Sequence, residues 1–147
     1  MVEVMRSPEL EERARESVRA VQDGDDRWFE DHTGEAGDIL FYGTAPGEEW
    51  RGRDAVLSLT RGEAQRLMEE GGLSEDEPAF ECFEAGDAGW IVAHGSFRLA
   101  DGSTIPLRSV VVLVRDEGTW KRVFGAVHVL APNELLAPGS PLVASAT

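Results

Sequence analysis

The sequence predicts an α+β domain in which three N-terminal helices pack on a curved antiparallel sheet. Two observations predict this fold. The first half of the chain holds three stretches whose apolar residues recur at helical spacing, and the second half holds long strand-like stretches joined by short turn signals. Helices in one block and strands in another are typical of α+β proteins. At 147 residues, with 41% hydrophobic residues, the chain is long enough to bury a core.

The helical stretches carry clear start and stop signals. The first helix is predicted over residues 7–23, with Ser7 as its N-cap and Gly24 at its end. A short second helix begins at residues 25–26, where an aspartate is available as the cap. The third helix is predicted over residues 54–70, because a glycine pair follows directly.

Strand-like stretches follow the second helix and then fill the second half of the chain. A short strand is predicted over residues 38–42, and a loop rich in turn residues follows it. Long strands are predicted over residues 79–85, 90–100, 104–115 and 119–130. We expect one domain over residues 1–136 and a flexible tail over residues 137–147, because the tail is rich in proline, alanine and serine.

The turns between the long strands predict which side chains share a face of the sheet. We interpret Asp101-Gly102 as a two-residue hairpin loop and Asp116–Gly118 as a three-residue loop. A misread loop of one residue would move every later side chain to the other face. With these loops, one face is predicted to carry Ile91, Ala93, Phe97, Leu99, Arg108, Val110, Val112, Trp120, Arg122, Phe124, Ala126 and His128.

Both predicted faces of the sheet are apolar. We expect the face with Arg108, Phe124 and His128 to be concave and to line a cavity beneath the helices, because it combines aromatic side chains with a few polar groups. The other face, which carries His94, needs a different cover. We therefore expect a homodimer formed through the outer face of the sheet.

Charge and cysteine content exclude several classes of function. The net charge of −14 argues against nucleic-acid partners and against anionic membranes, since both require a basic surface. No apolar run approaches the length of a membrane span, and the N-terminus is too polar for a signal peptide. The single cysteine, Cys82, excludes an intrachain disulfide and is more typical of a structural residue than of a nucleophile. We expect a cytoplasmic protein.

Several segments, in this order and spacing, are specific to one fold family: Trp28-Phe29-Glu30, Ile39–Thr44, Pro46–Asp54, Gly118–Lys121 and Ala131–Glu134. Over about residues 10–136 the chain resembles the SnoaL-like branch of the NTF2-like (ketosteroid isomerase-like) superfamily. The resemblance implies a cone-shaped, commonly dimeric α+β domain with a pocket between sheet and helices. It does not select a chemistry, because members include isomerases, cyclases, dehydratases and non-catalytic domains.

Arg108 is the leading candidate for a polar ligand contact. It lies in the middle of a predicted strand among apolar residues, and a buried arginine needs an anion, either a protein carboxylate or an acidic ligand. Tyr42, Trp50 and Arg122 are the other candidate donors, but Arg122, close to the second hairpin, is expected to be solvated. The predicted pocket residues are Phe29, Phe41, Tyr42, Trp50, Phe97, Arg108, Phe124 and His128.

An enzyme of this fold would need a base and a donor for the developing enolate. The candidate bases are His128, Asp38 and His32, and each also has a structural interpretation, as a core histidine, a turn residue and a helix C-terminal residue. Compared with the SnoaL-like branch, the last strand has Ala126 and His128 where a histidine and a serine are usual. A catalytic role is therefore not transferred to His128 from the resemblance.

The leading hypothesis is a SnoaL-like domain of unassigned function that binds a small, partly apolar ligand in a cone-shaped pocket, with an acid as one class of ligand considered. The alternatives are an isomerase, cyclase or dehydratase acting on a cyclic ketone, and a non-catalytic dimerisation module whose cone is filled by its own aromatic side chains. No metal or cofactor is expected, because the three histidines share no ligand spacing and no phosphate-binding glycine motif occurs.

Overall fold

The computed structural model of the chain describes residues 1–35, 37–69, 78–98 and 101–131. Within them, helices and strands follow one another as β1 (Met5–Arg6), α1 (Pro8–Asp23), α2 (Asp26–Asp31), β2 (Leu40–Tyr42), β3 (Glu49–Arg51), α3 (Arg53–Glu69), β4 (Ala79–Ala85), β5 (Ala88–Arg98), β6 (Thr104–Asp116) and β7 (Thr119–Val129). The strands form one sheet in the order β1-β4-β5-β6-β7-β2-β3, antiparallel except between β7 and β2. The predicted α+β class is confirmed.

The helix boundaries follow the capping signals of the sequence. Ser7 Oγ accepts a hydrogen bond from the Leu10 backbone N–H (3.2 Å), and Gly24 ends α1 in the left-handed conformation with φ 65°. Asp25 caps α2 by accepting the backbone N–H of Trp28 (3.1 Å). These caps explain why the predicted helix starts agree with the structure to within one residue.

The first hairpin differs from the prediction by one residue of register. Strands β5 and β6 pair with Arg98 opposite Thr104 and His94 opposite Arg108. A two-residue Asp101-Gly102 loop would instead have placed Gly95 opposite Arg108. The physical reason lies in the Asp101 side chain, which accepts the backbone N–H of Ser103 (2.9 Å) and removes that N–H from the strand pairing.

The second hairpin also differs, and a bulge follows it. Asp116 pairs with Thr119, so the loop has two residues, Glu117 and Gly118, both with positive φ (49° and 81°). Further along, the register shifts between Val112 and Leu113. A bulge of this kind reverses the facing of side chains beyond it, so residues on the two sides of the bulge cannot be assigned by simple alternation.

These differences redistribute the predicted face between the two sides of the sheet. The inner face packs against the helices, since Cys82, Leu113 and Trp120 form one buried cluster with Leu10 of α1. The cross-strand pairings and packing contacts place on this inner face Phe80, Cys82, Ile91, Ala93, Ser109, Val111, Leu113, Trp120, Arg122, Gly125 and Val127. The same pairings place on the outer face Phe83, Trp90, Val92, His94, Arg108, Val110, Val112, Phe124, Ala126 and His128.

The prediction that Arg108, Phe124 and His128 face the cavity is therefore wrong. His94, Arg108 and His128 lie opposite one another in a row across β5, β6 and β7 on the outer face, and Arg108 and His128 are exposed. His94 lies on the outer face, as expected, but it shares that face with Arg108. The error follows from the two loop lengths, because each misread residue exchanges the two faces of a strand.

Two short edge strands were not predicted. Strand β3 pairs with β2 and places Trp50 opposite Phe41, in a stretch interpreted as a loop. Strand β1 pairs only Met5 and Arg6 with β4. Segments of two or three residues are too short to show a period in sequence, so tertiary pairing alone defines them.

Two glycines permit the close packing of helices and loops on the inner face. A Cβ atom at Gly89 would lie 2.5 Å from Leu10 Cδ1, and one at Gly125 would lie 2.6 Å from the Phe41 ring. Gly125 thus allows the Phe41 ring to lie directly on β7. This places Phe41 where it can form part of a cavity wall.

Some predictions concern residues or side chains that lie outside the described part of the chain. They include the flexible tail over residues 137–147, Leu99, most of the charged connector before β4, and the side chain of Phe97. Within the described residues, no helix is long and apolar enough to cross a membrane.

Candidate functional site

Two cavities lie between the helices and the inner face of the sheet. The first, which we call the α1 cavity, has a volume of about 250 Å³ and is lined by Arg13, Ser17, Val18, Val21, Trp28, Phe29, His32, Phe80, Ile91, Ala93, Ser109, Val111, Leu113 and Arg122. The second, the β2 cavity, has a volume of about 270 Å³ and is lined by Val21, Phe29, Phe41, Tyr42, Gly43, Trp50, Leu59, Thr60, Ser109, Val111, Arg122, Gly125, Ala126 and Val127. The cavities adjoin, because five residues line both.

Arg122 is the charged residue at the junction of the two cavities. Its side chain is only 8% exposed, although it belongs to β7 close to the hairpin. The guanidinium carbon lies 4.8 Å from the centroid of the Phe29 ring and 5.3 Å from that of Phe41. Aromatic rings therefore cover the guanidinium group, and cation–π attraction offsets part of its desolvation.

The hydrogen bonds of Arg122 use only part of its donor capacity. Nε and Nη2 donate to Thr33 Oγ1 at 3.1 and 2.7 Å, and Nη2 also lies 3.5 Å from Thr60 Oγ1. Nη1 has no partner among the described residues. Nη1 is not among the fully enclosed side-chain polar atoms that lack a partner in the described part of the chain, where Trp120 Nε1 is the one such atom. Nη1 is therefore a donor without a protein acceptor there, on a residue that lines both cavities.

No carboxylate balances the charge of Arg122 within the described residues. The ion pairs found there involve other arginines, such as Arg61 with Glu30 and Arg13 with Glu16. Burial away from water, with a smaller contribution from the positive charge of Arg53, lowers the pKa of Arg122 to about 10. The guanidinium stays charged at neutral pH and has the capacity to bind an anion.

Backbone contacts with the end of α2 fix the position of Arg122. Its N–H donates to the His32 carbonyl (2.8 Å), and its own carbonyl accepts the Gly34 N–H (2.9 Å). Thr33 lies beside it in a parallel bridge and supplies the hydroxyl that holds the side chain. The short helix α2 thus positions both the charge and the aromatic ring of Phe29 that covers it.

A polar network forms one wall of the α1 cavity. Trp28 stacks on His32, with ring centroids 4.1 Å apart and an interplanar angle of 16°. His32 Nδ1 lies 2.7 Å from the Trp28 carbonyl oxygen, which can only accept, so Nδ1 carries a proton. Trp28 Nε1 donates to Glu16, which also pairs with Arg13. This network ties α2 to α1 at the edge of the cavity.

The structure brings together only some of the predicted site residues. Phe29, Phe41 and Trp50 line the cavities, and the candidate base His32 lines the α1 cavity. Tyr42 also contributes to the lining of the β2 cavity, but its ring packs against Phe124 of the outer face. The other predicted residues lie elsewhere: Asp38 is exposed and outside both linings, and Arg108, Phe124 and His128 lie on the outer face.

Sequence reasoning missed the role of Arg122. The expectation that it is solvated near the hairpin is wrong, because the inner face continues to the start of β7, where the residues that follow α2 pair with Arg122. One signal was present in the sequence. Arg122 follows Trp120 by two residues, so the two share a face, and a tryptophan in a long apolar strand is typical of the core.

Comparison with known proteins agrees with this architecture. The sequence matches the SnoaL-like domain family over residues 11–126. The chain therefore belongs to the SnoaL-like family, as the sequence motifs predicted. A comparison with curated proteins found no match.

Solved structures with similar folds come from several bacteria. An uncharacterised protein with a cystatin-like fold from Caulobacter vibrioides is 18% identical, with coverage of 86% of this chain and 89% of the other and a TM-score of 0.59. An NTF2-like protein of unknown function from Pseudomonas putida is 19% identical, with coverage of 87% and 90% and a TM-score of 0.59. An NTF2-like protein from Novosphingobium aromaticivorans is 18% identical, with coverage of 93% and 85% and a TM-score of 0.61. At these identities the similarity concerns the fold alone.

Proposed function

We propose that this SnoaL-like domain binds a small, partly apolar, acidic ligand in the adjoining cavities, with Arg122 as the anion contact. One observation carries the proposal. A charged guanidinium is buried against two aromatic rings, has no carboxylate partner among the described residues, and keeps Nη1 without a hydrogen-bond partner there, on a residue that lines both cavities. Arg122 thus takes the role that the sequence assigned to Arg108.

The energetics support a functional reason for this arginine. A charge without an ionic partner is costly to bury, and an apolar side chain of similar size would often stabilise a fold better. A ligand carboxylate would supply the missing partner, and a charge-assisted hydrogen bond to a buried guanidinium is strong. The remaining walls are mostly apolar, as expected for a small-molecule site.

A charge-matched pair of probes tests the proposal. We expect 4-biphenylacetate to bind the wild-type domain with a Kd below about 1 mM, and the uncharged 4-biphenylacetamide to bind at least about tenfold more weakly. Arg122→Met should remove the preference for the acid. Arg108→Met, an equal change at an exposed outer-face arginine, should preserve it. Equal binding of the acid by wild type and Arg122→Met in calorimetric titration would overturn the assignment.

The enzymatic alternative retains one supporting observation. His32 lines the α1 cavity, and its backbone carbonyl accepts the N–H of Arg122, so a possible base and a possible enolate stabiliser are close neighbours. A cyclic ketone such as 2-tetralone is a suitable probe. Exchange of its α-protons in D2O, accelerated by wild type and not by His32→Gln, would favour the isomerase-type function. An unaccelerated rate with wild type would count against it.

The outer face of the sheet supports the second part of the proposal, a homodimer. Phe83 and Trp90 stack on this face with centroids 5.9 Å apart, and Tyr42 and Phe124 form an edge-to-face pair at 6.1 Å. An apolar surface that spans several strands is typical of a protein–protein interface. A cytoplasmic location stays part of the proposal and rests on the single buried cysteine.

A further inference from the structure

We propose that the ligand is an acid with two apolar groups attached at the carbon next to the carboxylate, one group for each cavity. This inference rests on the proposed function and specifies the class of ligand. The anionic group would lie at Arg122, where the two cavities meet. One apolar group would occupy the α1 cavity and the other the β2 cavity.

The charge of Arg122 lies where the two cavities adjoin. Arg122 and Ser109 are the two polar side chains that line both cavities, and the other shared residues are Val21, Phe29 and Val111. The Phe41 ring, whose centroid lies 5.3 Å from the guanidinium carbon, lines only the β2 cavity, whereas Phe29 lines both. The cation is thus at the boundary of the apolar space and not at either end.

Each of the two cavities is large enough to hold an aromatic ring. Volumes of about 250 and 270 Å³ each exceed the roughly 150 Å³ apolar cavity that is known to hold benzene. Either cavity therefore accommodates a ring. A linear acid whose carboxylate contacts Arg122 would fill one cavity and leave the other without apolar contacts. A branched acid fills both cavities, so it removes more apolar surface from water and binds more tightly than a linear acid.

Two polar side chains, Ser109 and Arg122, lie where the two cavities adjoin. Ser109 projects from β6, the strand next to β7, and its hydroxyl takes part in none of the hydrogen bonds found within the described residues. The Ser109 hydroxyl and Arg122 Nη1 are two donors without a protein acceptor among the described residues, and both residues line the two cavities. A carboxylate has two oxygens and so can accept from more than one donor. An ether or ester at the same place would accept less strongly from a cation.

The test compares two isomers that differ only in branching. Diphenylacetate and 4-biphenylacetate have the same composition, but the first carries both rings on the carbon next to the carboxylate. We expect wild type to bind diphenylacetate at least about tenfold more tightly, since leaving one ring out of an apolar cavity costs this much or more. The comparison uses the unchanged protein, so it does not depend on how any variant folds.

Two cavity-filling variants locate the rings. Ala93→Phe narrows the α1 cavity and Val127→Phe narrows the β2 cavity, and each should abolish the preference for diphenylacetate. Equal affinities for the two isomers in wild type, with both lost in Arg122→Met, would overturn the branched-ligand inference and leave the proposed function standing. Binding of neither isomer, or binding that Arg122→Met does not change, would overturn both. A preference that survives both cavity-filling variants would also overturn the inference.

Discussion

Arg122 is buried at a desolvation cost that a neutral side chain would not carry. Its Nε and Nη2 donate hydrogen bonds to Thr33 Oγ1, and its guanidinium packs against the rings of Phe29 and Phe41. No carboxylate in the described part of the chain pairs with its charge. Because burial lowers its pKa to about 10, the charged form is disfavoured in the folded protein by an amount on the order of 3 kcal/mol. Such a cost at a cavity is expected where function and stability compete.

Replacement of Arg122 by methionine should therefore raise the stability of the domain. We expect Arg122→Met to increase the free energy of unfolding by about 1–2 kcal/mol. This is the desolvation cost that the substitution removes, reduced by the contribution of the hydrogen bonds to Thr33 that are lost. The folded-state pKa is lowered, so the cost applies fully below about pH 10, and the gain should be constant between pH 6 and pH 9. Urea denaturation measures it, with Arg108→Met as the exposed control. A loss of more than about 1 kcal/mol would contradict this account.

Cys82 gives a second prediction at the residue scale. Burial raises the pKa of its thiol to about 11, so the reactive thiolate is scarce at neutral pH. We expect alkylation of the native protein by iodoacetamide at pH 7.5 to be limited by unfolding. The rate should rise in parallel with the unfolded fraction in urea. A rate in the native protein close to that of a free cysteine peptide would show that Cys82 is exposed and reactive.

At the scale of elements, α2 connects the helical layer to the strand that carries Arg122. Glu16 of α1 accepts from Trp28 Nε1 and pairs with Arg13. Partial burial raises the pKa of Glu16, but the hydrogen bonds from Trp28 and Arg13 outweigh it, so the pKa lies below its usual value. The carboxylate form of Glu16 therefore helps to hold α2 against α1.

This contact predicts a pH dependence of stability. Because the folded-state pKa of Glu16 is lowered, its contribution is present above about pH 4.5 and is lost as the pH falls through the folded-state value. We expect Glu16→Gln to reduce the free energy of unfolding at pH 7 by about 1 kcal/mol. The difference between the two proteins should narrow below pH 4. Denaturation curves at both pH values measure it, and a difference that grows towards low pH would contradict the assigned role.

The elements themselves could be predicted from the sequence, but their register could not. Caps such as Ser7 and Gly24 are local signals, and they marked the helix ends correctly. The loop around Asp101 and the bulge beside Leu113 depend on side-chain bonding and pairing that no local pattern specifies. Two one-residue errors were enough to place Arg108 in the cavity. The expectation that Arg122 is solvated had a different origin, its position close to the second hairpin.

At the scale of the whole molecule, the two faces of the sheet have different roles. The inner face and the helices enclose the cavities, while the outer face presents Phe83, Trp90 and Phe124 between short exposed edges. Neither the cavities nor the charge of Arg122 requires a second copy. The proposed dimer would bury the outer face and leave the ligand site within each subunit.

The dimer has a direct test. We expect the domain to sediment at micromolar concentration with twice the 16.0 kDa mass of one chain. Trp90→Glu, which places a charge in the middle of the outer face, should produce a monomer that still folds, because Trp90 lies on the far side of the sheet from the helices. Gln22→Glu, at an exposed position on α1, is a control for the added charge. Sedimentation of the wild type as a single chain would contradict the dimer.

The central claim, that Arg122 is the anion contact of an internal ligand site, is tested most directly by the NMR signal of its side chain. In ¹⁵N-labelled protein, the Nε–H resonance of Arg122 is identified by its absence in Arg122→Met. We predict that this resonance shifts in a saturable manner as diphenylacetate is added, while the Arg108 resonance, identified in the same way, does not shift. A titration in which diphenylacetate binds and the Arg122 resonance stays unchanged would contradict the account.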